Sequence, residues 1–91
     1  MIRISKHENG SGVLTLKVEG KVTGAWTAEL QRVWASLHTP RGPRVVCIDI
    51  CGVTYLDDRG QQLLKEIFRA TGATILADSP LTKQFADEAT A

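Results

Sequence analysis

Apolar and polar positions along the chain change period several times, and each change marks an element. Ile2 and Ile4 alternate with Arg3 and Ser5, predicting a weak first strand over Ile2 to His7. Glu8-Asn9-Gly10-Ser11-Gly12 follows, and Asn-Gly is a strong short-range hairpin signal. Val13 to Glu19 then alternates cleanly, with Leu14, Leu16 and Val18 on one face and Thr15, Lys17 and Glu19 on the other. The two segments predict an antiparallel pair with one wet face. Beyond Gly20 to Gly24 the period becomes helical. Trp26, Leu30, Val33, Trp34 and Leu37 form one apolar stripe opposite Glu29, Gln31, Arg32 and Ser36.

Thr39-Pro40-Arg41-Gly42-Pro43 cannot continue a helix and is a loop. Val45 to Ile50 is a near-continuous apolar run rich in β-branched residues, the pattern of a strand covered on both faces, and Cys51 to Leu56 is a second short run. A helix starting near Asp58 or Arg59 turns Leu63, Leu64, Ile67, Phe68 and Thr71 inward and stops at Gly72. Ala73 to Ala77 is a short third buried strand. Ser79-Pro80 is an N-cap followed by proline at the first helical position, and Leu81, Phe85 and Ala89 share one face of a closing helix. The order β-β-α-β-α-β-α implies an α/β fold: a small mixed sheet with a parallel core and helices packed on it, in one domain over residues 1–91.

Composition narrows the function classes. The hydrophobic fraction of 43% with 23% charged residues is ordinary for a globular domain, and a net charge of +1 gives no long-range pull on nucleic acid or anionic membrane. The basic residues are scattered, with only Arg41 and Arg44 forming a local pair, so no nucleic-acid partner is expected. No apolar run approaches the ~20 residues that span a bilayer, and Met1 to Lys6 does not open a secretory signal, so no direct membrane insertion is expected either. Cys47 and Cys51 lie about 13 Å apart along an extended strand, too far to bridge, and two free thiols fit a cytoplasmic location. His7 and His38 have no ligand-like spacing to them, so neither metal nor cofactor is expected.

Candidate chemistry converges on the turn before the second helix. Asp57, Asp58, Arg59, Gly60 and Gln61 lie outside the carboxyl end of a buried strand, where sites in α/β sheets tend to sit. Asp57 or Asp58 caps the helix, and Asp58-Arg59-Gly60-Gln61 has the form of a capping box in which Gln61 reaches back to the cap residue. Asp58 can also imitate a phosphorylated side chain, though with one charge and two oxygens in place of nearly two charges and three. Arg59 can pair with either aspartate or offer a contact to an acidic partner. Asp49, mid-strand in an apolar run, needs a partner and is placed to brace the Leu56 to Asp58 loop. Asp49, Asp57 and Asp58 around one strand end would suit a hard cation, but no base, nucleophile or phosphate-cradling loop accompanies them, so no enzyme is expected.

Several of these features, in order, resemble the STAS domain, the family named for sulfate transporters and anti-sigma-factor antagonists. Gly20 stands where the family has a glycine after the second strand. Val46 to Val53 matches its apolar strand, aspartate, small residue and Gly-Val, and Tyr55-Leu56-Asp57 with Gly60 matches its signature turn. The last strand, Ser79-Pro80 and a short helix also fit. The resemblance implies a non-enzymatic regulatory module that binds a protein through the Leu56–Gly60 loop and the start of the second helix. The implied partner is an anti-sigma factor or serine kinase of that type, or a transporter subunit; a homodimer is left open. In that family a Ser or Thr between the aspartate and the glycine is phosphorylated to control binding. Here Asp58 and Arg59 stand there, so phospho-control at this position is lost, and Gln61 and Gln62 replace the small or apolar residues usual after the glycine. The alternative expectation is a small-ligand, nucleotide or anion site at the same helix N-terminus, or an accessory subunit of a membrane transporter.

Overall fold

The computed structural model describes residues 2–8, 12–37 and 44–91. The Asn9-Gly10-Ser11 turn and the Thr39 to Pro43 loop expected from the sequence lie outside the described residues. The elements are β1 (Ile2–Glu8), β2 (Val13–Val22), α1 (Ala25–Leu37), β3 (Arg44–Leu56), α2 (Asp58–Thr71), β4 (Thr74–Leu76) and α3 (Pro80–Thr90). They form one four-stranded sheet in the order β1-β2-β3-β4, with β1 antiparallel to β2 and β3 parallel to both of its neighbours. This is a STAS-like α/β arrangement, in the element order expected from the pattern.

The pairing of β2 with β3 explains how the core is built. Leu14, Leu16, Val18 and Val22 are buried on β2, at strict two-residue spacing. On β3 the buried residues are Val45, Ile48, Ile50, Val53 and Leu56, at spacings of three and two. Register shifts fall between Leu14 and Thr15, Lys17 and Glu19, and Gly20 and Lys21. At each one β3 takes an extra residue, which resets its alternation and returns an apolar side chain to the core. Leu14 thus pairs with Val45, Leu16 with Ile48 and Val22 with Leu56.

These bulges correct two expectations. The apolar runs Val45 to Ile50 and Cys51 to Leu56 are one unbroken strand of 13 residues. Nor is that strand covered on both faces. Cys47, Asp49 and Cys51 are half-exposed, and Thr54 and Tyr55 are exposed. The run looks continuous because the bulges bring core residues at spacings other than two. Likewise β4 is a three-residue edge strand with Thr74 and Leu76 exposed, not a buried one.

The helices close over the core face. Leu30, Trp34 and Leu37 of α1 are buried as expected, but Trp26 is 42% exposed and Thr27 takes the inward place instead. Leu63, Leu64 and Ile67 of α2 are buried, and the helix stops at Gly72, whose φ of 66° forms a left-handed cap with its N–H on the Phe68 carbonyl. In α3, Thr82 is buried with Phe85 and Ala89, while Leu81 is 43% exposed. Thr82 turns inward because its hydroxyl completes a reciprocal capping box with Ser79.

Candidate functional site

Asp57 leaves the end of β3 in extended conformation and joins three elements. Its N–H bonds the Val22 carbonyl at the end of β2, 3.1 Å away. Its Oδ1 accepts from the Gly60 N–H at 2.7 Å, capping α2, and from the buried Thr27 hydroxyl at 3.2 Å. Its Oδ2 accepts from the Gly24 N–H at 3.0 Å, in the turn that opens α1. The Gly24 N–H holds the Asp57 carboxyl below the usual aspartate range, helped by the Gly60 N–H, the Thr27 hydroxyl and the Arg59 charge, with burial opposing. One ionised carboxylate thus fixes the starts of both α1 and α2 against the sheet.

This geometry decides between the two candidate caps. Asp57 is the cap, and Asp58 is the first residue of α2. The Asp58-Arg59-Gly60-Gln61 capping box does not form. The Gln61 side chain turns the other way, its Nε2 donating to the Phe85 carbonyl of α3 at 2.9 Å, while its main-chain N–H bonds the Asp57 carbonyl. Gly60 is buried, and a Cβ there would lie 3.2 Å from each of Asp57 Oδ1, Leu56 Cδ2 and Val22 Cγ1. The glycine therefore allows the first turn of α2 to close onto the β2–β3 end.

Asp49 does not brace the Leu56 to Asp58 loop. It sits half-exposed on the open face of the sheet, and its Oδ1 accepts from the Cys51 N–H at 2.9 Å. The bulge beside Cys51 presents that N–H, and the uncovered face removes the need for a deep partner. Burial, then the Asp49 and Asp78 carboxylates, push the Cys51 thiol up to about 11, and burial with Asp49 raises Cys47. Both cysteines are free. Asp49, Asp57 and Asp58 are not gathered: among the described residues no group of three or more His, Cys, Asp or Glu side chains is arranged to hold a metal ion.

With Asp57 turned into the scaffold, Asp58 and Arg59 are left exposed side by side on the first turn of α2. They rim an open groove of about 410 Å³ between α1 and α2. Thr27 and Leu63 form its buried floor, and Ala28, Gln31, Gln62 and Glu66 continue its rim. Two large exposed side chains lie near the node in sequence, Trp26 one residue from Thr27 and Tyr55 two from Asp57, the latter 49% exposed. The structure thus brings Asp57, Asp58, Arg59, Gly60 and Gln61 together, but only Asp58 and Arg59 face outward.

Sequence reasoning missed Gly24 and Thr27 as partners of Asp57, and Gln31 and Glu66 as groove residues. The legible signal was Thr27, a polar residue in register with Leu30, Trp34 and Leu37. No helix among the described residues is long and apolar enough to cross a membrane. In comparisons with known proteins, no family model matches the chain and no curated protein matches it.

Proposed function

We propose that the protein is a non-enzymatic interaction module of the STAS type, which docks a partner protein on the first turn of α2 and the adjoining α1 surface. The observation that carries this reading is the division of labour between adjacent aspartates. Asp57 is bonded on both oxygens to the scaffold, while Asp58 and Arg59 stand exposed on a rigidly capped turn. A fixed backbone presenting unpaired charges lowers the ordering cost of association. Trp26, one residue from Thr27, and Tyr55, two from Asp57, are exposed and are of the residue types, with arginine, in which binding energy concentrates.

The partner implied by the resemblance is an anti-sigma-type serine kinase or a transporter subunit, met in the cytoplasm, where both thiols stay reduced. With Asp58 and Arg59 in place of a hydroxyl, binding is constitutive or switched elsewhere. An anion site at the same helix end draws less support. The Gly60 N–H is already taken by Asp57, and the Asp58 charge stands beside the amides that remain.

The test is titration of an anti-sigma-type serine kinase with the wild-type protein and with Asp58→Ala and Asp58→Ser. Loss of a contact at a docking centre is expected to weaken binding roughly tenfold, about 1.4 kcal/mol. Equal affinity for all three proteins removes this turn from the interface. Calorimetric titration with nucleotide and inorganic phosphate is expected to show no heat.

A further inference from the structure

The groove between α1 and α2 has a chemical character that specifies more than a generic docking surface. Its floor is partly apolar, formed by buried Thr27 and Leu63, and Ala28 adds an apolar position on its rim. Along one side Asp58, Gln62 and Glu66 recur every four residues of α2 and are all exposed. Four residues advance a helix by about 6 Å, so the two carboxylate-bearing positions stand about 12 Å apart along its axis. None of the three side chains has a hydrogen bond or an ion pair with another described residue. The ion pair nearby, Glu29 with Arg32, is satisfied within α1. The rim therefore offers two uncompensated carboxylates with an amide between them, and one guanidinium at Arg59.

Resting on the reading of this face as a protein-docking surface, we infer that the groove receives one amphipathic helix of the partner, basic on its facing stripe. An apolar side chain of that helix covers Leu63, and lysine or arginine residues two turns apart meet Asp58 and Glu66. An acidic residue near one end meets Arg59. Helices recognised in grooves use anchors at spacings of three, four and seven, which fits the separation along α2. Charge complementarity sets the identity of the occupant: an acidic stripe of the same spacing would place like charges against Asp58 and Glu66.

The inference is tested by NMR titration of the isotopically labelled protein with two synthetic helical peptides. One carries two lysines seven residues apart with a leucine between them; the other has glutamate in place of each lysine. Amide shifts at Ala28, Gln31, Gln62 and Glu66 are expected with the basic peptide, shrinking as salt is raised, with a roughly tenfold preference over the acidic one from two exposed ion pairs. In the Asp58→Lys/Glu66→Lys variant the preference is expected to reverse. Equal response to both peptides, or no response at millimolar concentration, overturns the groove assignment. Shifts confined to Trp26, Tyr55 and their neighbours also overturn it, yet leave the docking turn standing. Loss of kinase binding on mutation of Asp58, with no peptide response, likewise separates the two readings.

Discussion

Asp57→Ala removes three hydrogen bonds with one substitution, and their surroundings set the cost of each. Loss of the α2 cap costs about 1 kcal/mol. Thr27 is only 5% exposed, so its orphaned hydroxyl adds about 1–2 kcal/mol. Gly24 is exposed and its N–H turns to water at little cost. The expected total is about 2–3 kcal/mol, a large share of the roughly 5–15 kcal/mol that holds a domain together. In a chain of this size that lowers Tm by about 10–20 °C. Urea unfolding followed by circular dichroism measures it directly, with an unchanged m-value expected. Adding Thr27→Val to Asp57→Ala removes the orphan and is expected to recover about 1 kcal/mol, because both partners are then absent.

The same carboxylate predicts a pH dependence. Its pKa in the folded chain lies below the ordinary value of 3.8, so its contribution is fully present above that value and is lost as pH falls through the folded pKa. Wild type should therefore lose stability below about pH 4 more steeply than Asp57→Ala. A variant within 0.5 kcal/mol of wild type, roughly the error of such measurements, would refute the three-element node, as would a parallel acid limb in the two proteins.

Three further perturbations have defined outcomes. Gly60→Ala gains helix propensity, but its Cβ would press on Asp57, Leu56 and Val22 at 3.2 Å, and all three are fixed by bonds or burial; a net loss of about 1 kcal/mol is expected in the same urea assay. Ser79→Ala breaks the reciprocal cap of α3 and leaves the Thr82 main-chain N–H without its acceptor, costing about 1–2 kcal/mol, while Ser79→Asp, which keeps an acceptor, should cost less than half of that. Cys51, with its thiol raised to about 11, should react with a disulfide reagent at pH 8 far more slowly than an unstructured cysteine, and Asp49→Ala should speed it.

The fold was legible because burial imposes a period on the chain and most elements keep it. Leu14, Leu16 and Val18 announced β2, and Gly72 and Ser79-Pro80 announced helix ends through their own backbone chemistry. Reading failed where a long-range contact reset the period. The three bulges of β3 are set by its pairing with β2, so no local pattern distinguishes them from a doubly buried run. Trp26 and Leu81 share one cause. Each is large, apolar and one residue before a threonine whose hydroxyl is needed inside, Thr27 for Asp57 and Thr82 for Ser79. A polar side chain with a buried partner then takes the inward position, and the apolar neighbour, about 100° round the helix, is left outside.

That exchange also shaped the candidate site. From the sequence Asp57 and Asp58 are rival caps, since each precedes the helical stripe, and Asp58 even has Gln61 three places on in the form of a capping box. What separates them is the turn at Gly24, which lies 33 residues away and delivers its N–H to Asp57 Oδ2. Once Asp57 is fixed from both sides, the pitch of α2 carries Asp58, Gln62 and Glu66 onto one outward ridge beside α1. The exposed charge at Asp58 is therefore a consequence of the scaffold bonds at Asp57, and the two predictions are coupled. A variant that frees α2 from α1, such as Asp57→Ala, should weaken partner binding even though Asp57 faces inward. Asp58→Ala should weaken binding while leaving Tm unchanged. Equal losses of stability in the two variants would mean that the adjacent carboxylates share one structural role, and the docking turn would lose its physical basis.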